Sequence, residues 1–474
     1  MFDIIVIGSG SGGLSVGLFM SEAGFKVLMV SKSDLDIGGD CLNDGCVPSK
    51  AFIHTARLSY QAKQASRLGL QMSGNIDIKK AIAYVHNRQE EIRVHENAGW
   101  LRAQGVELAL GNAFFTGKNE IEVNSVRYCG KKIVIATGSK PKKLRVPGVD
   151  LVEYYDNESI FHLETLPKNI LFIGGGPIGI EMAQTLHRLG SKVTVVHHGD
   201  MILKHDDPVV TQILYKQLKE EGVEFMFNSS IDSFTTANDA QVKYKDGSIK
   251  TTSFDAVFAG IGRELSLDAL QPANAGIGIK NNNLILNKYL QTTNKNVYAV
   301  GDVAGDLQFS HAAEFHARIV LNNLFSPLKK RLNNDHMSWV TFTDPEVATF
   351  GLSEMQLKER NITYEKLEQD FKDDDRAVVD DHQYGKMILF ISPKGFLKKQ
   401  KILGGTMVAP GAGELIQELI LANTSGLSID SIFNKIYPYP VATRINQKII
   451  LEYKQQSFTK GLKKILRFTY KIFN

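Results

Sequence analysis

The chain has 474 residues, 43% hydrophobic and 22% charged, a globular composition that excludes a mainly disordered, collagen-like or coiled-coil protein. Its length fits roughly three domains, and no run of about 18 apolar residues offers a membrane-spanning helix. The net charge of +4 is uneven: residues 454–474 hold Lys454, Lys460, Lys463, Lys464, Arg467 and Lys471 and no acid, so residues 1–453 sum to −2 and no basic nucleic-acid-binding body is expected.

Met1-Phe2-Asp3 opens an apolar stretch that is broken by glycines and carries no basic leader, so no secretion signal is expected. Three cysteines do not make a disulfide scaffold, and a cytoplasmic setting is expected, at most peripheral to the inner face of a membrane.

In chain order, Ile4-Ile5-Val6-Ile7 predicts a strand. Gly8-Ser9-Gly10-Ser11-Gly12-Gly13 follows, then a helix over Leu14–Ala23 closed by Gly24, and a second strand over Lys26–Val30. This is the strand–turn–helix–strand context that gives G-x-G-x-x-G its meaning. Gly8 permits the turn, Gly10 lets the backbone approach a pyrophosphate, and Gly13 lets helix and strand pack closely. The unit recurs: a strand over Ile170–Ile173, the turn Gly174-Gly175-Gly176-Pro177-Ile178-Gly179, a helix over Ile180–Leu189, Gly190, and a strand over Val193–Val196. Gly174, Gly176 and Gly179 hold the motif positions. Two copies in this context imply two dinucleotides, each with its phosphates at a helix N-terminus. Beyond about residue 340, strand-like runs at Met387–Ile391 and Ile402–Val408 precede a helical run over Gly413–Ala422, which predicts a separate α+β domain.

Between the first unit and the next helix lies Gly38-Gly39-Asp40-Cys41-Leu42-Asn43-Asp44-Gly45-Cys46-Val47-Pro48-Ser49-Lys50. A structural zinc site needs more ligands than this pair supplies. Two buried packing cysteines and a redox disulfide both remain open. Lys50 follows Cys46 by four, so a helix would place both on one face, where the cation lowers the thiol pKa. Cys129 stands alone ahead of a strand and is expected to be packing.

The segment Gly39–Lys50 closely resembles the redox-active segment of the FAD-containing pyridine nucleotide–disulfide oxidoreductases. That family includes dihydrolipoamide dehydrogenase, glutathione reductase and mercuric reductase. Ala136-Thr137-Gly138-Ser139 resembles the family's turn between its FAD and NAD(P) domains, and Ala259-Gly260-Ile261-Gly262-Arg263 the end of its NAD(P) domain. Val297-Tyr298-Ala299-Val300-Gly301-Asp302 is similar to its second FAD motif. Thr343–Ala348 and Gly411–Glu414 resemble its interface domain. The resemblance implies an α/β fold with two Rossmann-like dinucleotide-binding domains, for FAD and NAD(P), plus a C-terminal α+β dimerisation domain. The implied divisions are 1–147 (FAD and cysteine pair), 148–265 (NAD(P)), 266–338 (central), 339–453 (dimerisation) and 454–474 (tail). It further implies a homodimer with active sites at the subunit interface. Cys46 would be the flavin-proximal thiolate that gives a charge-transfer complex, and Cys41 the interchange thiol. Lys50 and Glu181 would pair beside flavin N5, and Asp302 would hold the ribitol. The backbone at His311 and Ala312 would lie near the flavin.

Several positions depart from the family pattern. Where dihydrolipoamide dehydrogenase and glutathione reductase carry a His-Glu acid/base dyad, this chain has Tyr439 and Arg444. A phenol with pKa about 10 is a poor base near neutrality. Mercuric reductases also place Tyr there, and Asp40 points the same way, yet their C-terminal cysteine pair is missing. Ser31 stands where an acid for the FAD ribose is usual. His197 stands where an acid would mark NAD. His197 and His198, with Lys204, tilt the reading toward NADPH over NADH, the alternative being two exposed loop histidines. The expected function is electron transfer from NAD(P)H via FAD to a Cys41–Cys46 disulfide and on to a small-molecule or protein disulfide. A soft metal ion or a quinone is the alternative acceptor, and a catalytically impaired flavin-bearing scaffold the alternative of another class. In the tail, Leu462, Ile465, Leu466, Thr469, Ile472 and Phe473 share one helical face and Lys463, Lys464, Arg467 and Lys471 the other. Residues 461–473 would either pack on the dimer or make weak contact with a membrane surface.

Overall fold

The computed structural model describes the whole chain except Met72, Asn75, Asp306 and residues 396–398 and 457–459, and of Lys460 only the backbone. Two compact units emerge: Met1–Asp200 with Gly222–Asn333, and Met201–Glu221 with Asn334–Asn474.

The first unit contains both glycine-turn repeats. Strand β1 (Phe2–Ile7) leads into helix α1 (Ser11–Glu22) and strand β2 (Val27–Ser31). The redox segment forms the short helix α2 (Gly39–Asn43) and the long helix α3 (Cys46–Gln64). With β3 (Glu107–Leu110), β4 (Val126–Ile135) and β5 (Val297–Ala299), the order β3-β2-β1-β4-β5 makes a parallel sheet. Both its faces are buried. Ile5, Ile7, Leu28 and Val30 pack with Phe115 and Ile133 on one side. Ile4, Val6 and Met29 pack with Leu14, Val16 and Val134 on the other. Double-sided burial is why β1 reads as a continuous apolar run instead of an alternating one. Each such side chain contributes about 1.5–3 kcal/mol on leaving water.

The second repeat folds the same way. Strand β6 (Asn169–Ile173), helix α4 (Pro177–Leu189), strand β7 (Lys192–Val196), strand β8 (Glu224–Met226) and strand β9 (Ala256–Ala259) build a parallel sheet in the order β8-β7-β6-β9. The Tyr154–Tyr155 strand extends it at β9. Helix α5 (Ser310–Phe325) follows the second FAD-like motif.

The second unit is an antiparallel five-stranded sheet, β10 (Ser338–Thr341), β11 (Glu346–Gly351), β12 (Glu365–Asp370), β13 (Lys386–Ile391) and β14 (Ile402–Ala409), in the order β10-β11-β14-β13-β12. Phe350, Met387, Leu389 and Met407 pack with Ile416, Leu419, Ile445 and Ile449. The chain closes with helix α6 (Ile445–Gln456) and helix α7 (Lys460–Phe473).

Four expectations change. Helix α1 begins at Ser11, before Leu14, because Gly12 and Gly13 are buried in its first turn: a Cβ on Gly13 would lie 2.0 Å from the Gly8 carbonyl oxygen. Helix α4 begins at Pro177, whose missing N–H is not needed in a first turn. The expected Gly413–Ala422 helix is two, Ala412–Leu415 and Gln417–Thr424, divided at the buried Ile416. Cys129 lies inside β4, not ahead of a strand, and is not packing. Strand alternation turns it outward, where its thiol donates to the Glu120 carboxylate at 3.4 Å.

Candidate active site

Left-handed backbone at Gly38 and Gly39 turns the chain into α2 and seats it on the first nucleotide turn; a Cβ on Gly39 would lie 2.6 Å from the Cα of Gly10. The cysteine segment is thereby tied to the glycine loop. Cys46 is the first residue of α3. Cys41 is half-buried and Cys46 exposed, and both are thiols, so neither is a buried packing cysteine. The Cys41 thiol donates to the Cys46 sulfur, and this is the largest influence holding Cys46 down at about 6 and pushing Cys41 up. The Ser310 hydroxyl, 3.3 Å from the Cys46 sulfur, and the Lys50 charge lower Cys46 further, while desolvation and the Asp40 charge oppose them. Ser310 opens α5 and Ser11, which also reaches Cys41, opens α1. Three helix N-termini therefore converge on the dithiol, the end of a helix that favours an anion.

One turn along α3, the Lys50 ammonium donates to the Glu181 carboxylate at 2.7 Å, with Glu181 buried on α4. The two helices are pinned further on. The Ser59 hydroxyl and Lys63 ammonium donate to the Arg188 carbonyl, and the Arg188 guanidinium lies 4.0 Å over the Tyr60 ring.

A polar cluster joins the three remaining motifs of this unit. Arg263 donates through Nε to the Ser139 hydroxyl at 2.7 Å and through Nη2 to Asp40 at 2.9 Å and to the Ser139 carbonyl at 3.0 Å. The Ser139 hydroxyl donates to Asp302 at 2.5 Å. Burial holds the Asp302 carboxyl above the ordinary range, against the Ser139 and Arg263 contacts. Asp44, between the cysteines, is raised to about 7, chiefly by burial and then by the charges of Asp40 and Glu158. Sequence reasoning missed Asp44, Ser310 and His316. The buried His316 accepts the Gly301 N–H at 3.3 Å through Nδ1 and so braces the turn bearing Asp302. No local pattern marks a hydroxyl or imidazole that acts from another element.

The residues fit two dinucleotides. No side chain among the described residues caps α1 at Gly10 or α4 at Gly176, which leaves first-turn N–H groups for phosphate oxygens. Gly8 and Gly174 have φ of +110° and +114°, and a Cβ there would strike the Ala136 and Gly260 carbonyls at 2.2 Å. A Cβ on Gly176 would meet no protein atom within 4 Å, nor would one on Gly138. At Gly176 the protein's own packing does not demand glycine, while an approaching pyrophosphate does. Thr137 belongs to the turn just after β4, and Gly262 precedes Arg263 with φ of +100°. Gly179 packs on the Gly174 carbonyl as Gly13 does on Gly8.

Other expected residues stand apart from these clusters. The buried Ser31 hydroxyl accepts from Ser9 and donates to the Ser33 carbonyl, so it serves its own loop. His197 is not an exposed loop histidine: it is 7% exposed, and its Nδ1 accepts the Gly175 N–H at 3.1 Å, directly after the buried β7. His198 beside it is exposed, with the ring centroids 4.6 Å apart. Lys204 belongs to the second unit. His311 stacks on Phe309, and Ala312 is fully buried. In the second unit the exposed Tyr439 donates to the Asp375 carboxylate at 3.2 Å, which pushes its pKa up, and the Arg444 guanidinium lies 5.4 Å over its ring.

Residues 2–317 match the family model for pyridine nucleotide-disulphide oxidoreductases, and residues 337–448 match that family's dimerisation domain. A mercuric reductase of Lysinibacillus sphaericus is 29% identical over 442 residues, 92% of this chain and 80% of that protein. A dihydrolipoyl dehydrogenase of Thermus scotoductus is 31% identical over 446 residues, 93% of this chain and 94% of that protein. The fold is similar to that of the HOCl-induced flavoprotein disulfide reductase RclA from Escherichia coli, with a TM-score of 0.83 and 24% identity over 94% of this chain and 99% of that one. The paired glycine turns, the dithiol at a helix start and the matched dimerisation segment have one common explanation: the chain belongs to the pyridine nucleotide–disulphide oxidoreductases, flavoenzymes that use FAD and take electrons from NAD(P)H.

Proposed function

We propose that this chain passes two electrons from NAD(P)H through FAD to a Cys41–Cys46 disulfide and on to an acceptor disulfide. The observation that carries the reading is the Cys41–Cys46 dithiol, Cys41 on α2 and Cys46 at the start of α3, with Cys46 one turn from the Lys50–Glu181 pair. When bound, FAD supplies the two-electron relay between nicotinamide and disulfide. The α1 and α4 turns would hold the two pyrophosphates, and Asp302 would take the ribitol. Lys50, oriented by Glu181, places a cation beside Cys46.

In the dithiol, the Cys41 thiol lies hydrogen-bonded to the Cys46 thiolate. Passing that proton to Cys46 frees the Cys41 thiolate, which attacks one acceptor sulfur. The acceptor S–S bond breaks and its first thiolate leaves, taking the Cys46 proton. The Cys46 thiolate then attacks the Cys41 sulfur. The intramolecular disulfide re-forms and the second acceptor group departs as a thiolate, protonated by water. The proton transfer runs uphill, since Cys46 is the more acidic thiol. Tyr439, in the matched dimerisation segment, keeps its proton directed at Asp375 and is a poor substitute for an imidazole base. NADPH is the favoured donor, the exposed His198 just past β7 offering a ring N–H to a 2′-phosphate.

The similarity to mercuric reductases, with the exposed Cys46 sulfur, supports a soft metal ion as a second acceptor class. The basic amphipathic segment 461–473 supports a weak peripheral contact with a membrane surface. Anaerobic titration with NADPH tests the electron path: the holoenzyme takes up one more equivalent than a Cys41→Ser, Cys46→Ser double variant. Equal uptake refutes the path.

A further inference from the structure

We infer that α7 is a docking surface for anionic phospholipid, holding the enzyme flat against a negatively charged bilayer; the inference rests on the membrane contact proposed above. Helix α7 spans 14 residues, Lys460–Phe473, about 21 Å of axis. That falls short of the about 30 Å of a hydrocarbon core, and no helix among the described residues is long and apolar enough to cross a membrane. The helix therefore lies in the interfacial plane.

At 3.6 residues per turn its faces separate cleanly. Leu462, Ile465, Leu466, Phe468, Ile472 and Phe473 form one broad arc, and Lys463, Lys464, Arg467 and Lys471 fill the other. The apolar arc is displayed to solvent: Ile465 is 59% exposed, Phe468 66% and Phe473 81%. A water-soluble surface seldom shows so many large apolar side chains together without an interaction to hide them.

Charge selects the occupant. No acid follows Glu452, so the four cations on the polar face of α7 meet no acid within their own helix. Lys454, just before it, is paired with Asp430 and so sets itself apart. Isologous pairing with a second α7 would hide the apolar arc but bring two cationic rims together. An anionic bilayer accepts both faces at once, acyl chains taking the arc and phosphates the lysines.

Pelleting of the holoenzyme dimer with phosphatidylcholine vesicles, and with an equimolar phosphatidylcholine–phosphatidylglycerol mixture, tests this. The expected result is binding to the mixed vesicles at low salt, release at high salt, and little binding to phosphatidylcholine. Combined Lys463→Glu, Lys464→Glu and Arg467→Glu substitutions weaken binding by about a hundredfold, and a chain ending at Lys460 does not bind. Equal binding to both vesicles overturns the anionic selectivity while the membrane contact stands. No binding to either overturns both. If the chain ending at Lys460 becomes monomeric, the α7 face is a subunit contact and the docking surface falls.

Discussion

At the scale of single residues, the site depends on side chains that act from other elements. Ser310 reaches the Cys46 sulfur from the start of α5. A hydrogen bond to a charged group is worth about 1.5–3 kcal/mol, so Ser310→Ala should raise the Cys46 pKa from about 6 by roughly one unit. The pH midpoint of thiolate absorbance in the reduced enzyme measures this, and Ser310→Thr should restore it. An unmoved midpoint in Ser310→Ala would exclude the contact from thiolate stabilisation. Asp44 offers a stability test. Its pKa is about 7 in the fold against an ordinary value of 3.8, so the protonated form is favoured there. The stability linked to that proton is full below pH 3.8 and is lost as pH rises through about 7. Asp44→Asn should therefore stabilise the protein at pH 8 by roughly 1–2 kcal/mol, after discounting for solvent screening, and change it little near pH 4. Thermal unfolding at the two pH values decides; equal gains at both would contradict the burial argument.

At the scale of elements, the two glycine turns look alike but contain two kinds of glycine. Gly8 has φ of +110° and meets the Ala136 carbonyl, so Gly8→Ala forces backbone apart and should cost about 2 kcal/mol or more. Gly176 has φ of −79° and open space above it. Gly176→Ala should leave stability within about 0.5 kcal/mol, yet raise KM for NAD(P)H by roughly tenfold through a clash with the pyrophosphate. Denaturant midpoints and steady-state kinetics on both variants separate the roles. A Gly176→Ala protein with unchanged KM would place the nucleotide elsewhere. At the end of β7, His197→Glu should shift selectivity toward NADH, since a carboxylate accepts ribose hydroxyls and repels a 2′-phosphate. Because His197 braces the Gly175 N–H, the substitution must be judged by the ratio of kcat/KM values for the two nucleotides.

At the scale of the whole molecule, the dithiol lies in one compact unit and Tyr439 in the other. The described residues supply a stabilised Cys46 thiolate, while Tyr439, at the position of the family's imidazole base, is held above its ordinary range and cannot serve as a near-neutral base for Cys41. Missing general acid–base catalysis costs about 10² to 10⁴-fold. Turnover of lipoamide or glutathione disulfide should therefore stay well under about 10 per second, while reduction of the enzyme by NAD(P)H remains fast. Stopped-flow reduction and steady-state turnover check the two halves separately. Rapid turnover on either disulfide would mean that another group performs the proton transfer.

Much of this molecule was legible in order and spacing alone. The paired strand–glycine–helix units, the α3 placement of Cys46 and Lys50, and the amphipathic α7 follow from local geometry, because glycine turns and 3.6-residue periodicity act within a dozen residues. Ser310 on Cys46, Arg263 bridging Asp40 and Ser139, His316 bracing Gly301, and the inward turn of Ser31 follow from packing between segments far apart in the chain. Cys129 was misread for a related reason. Which face of β4 points outward depends on the strands and helices that cover it, and a lone cysteine carries no record of its neighbours.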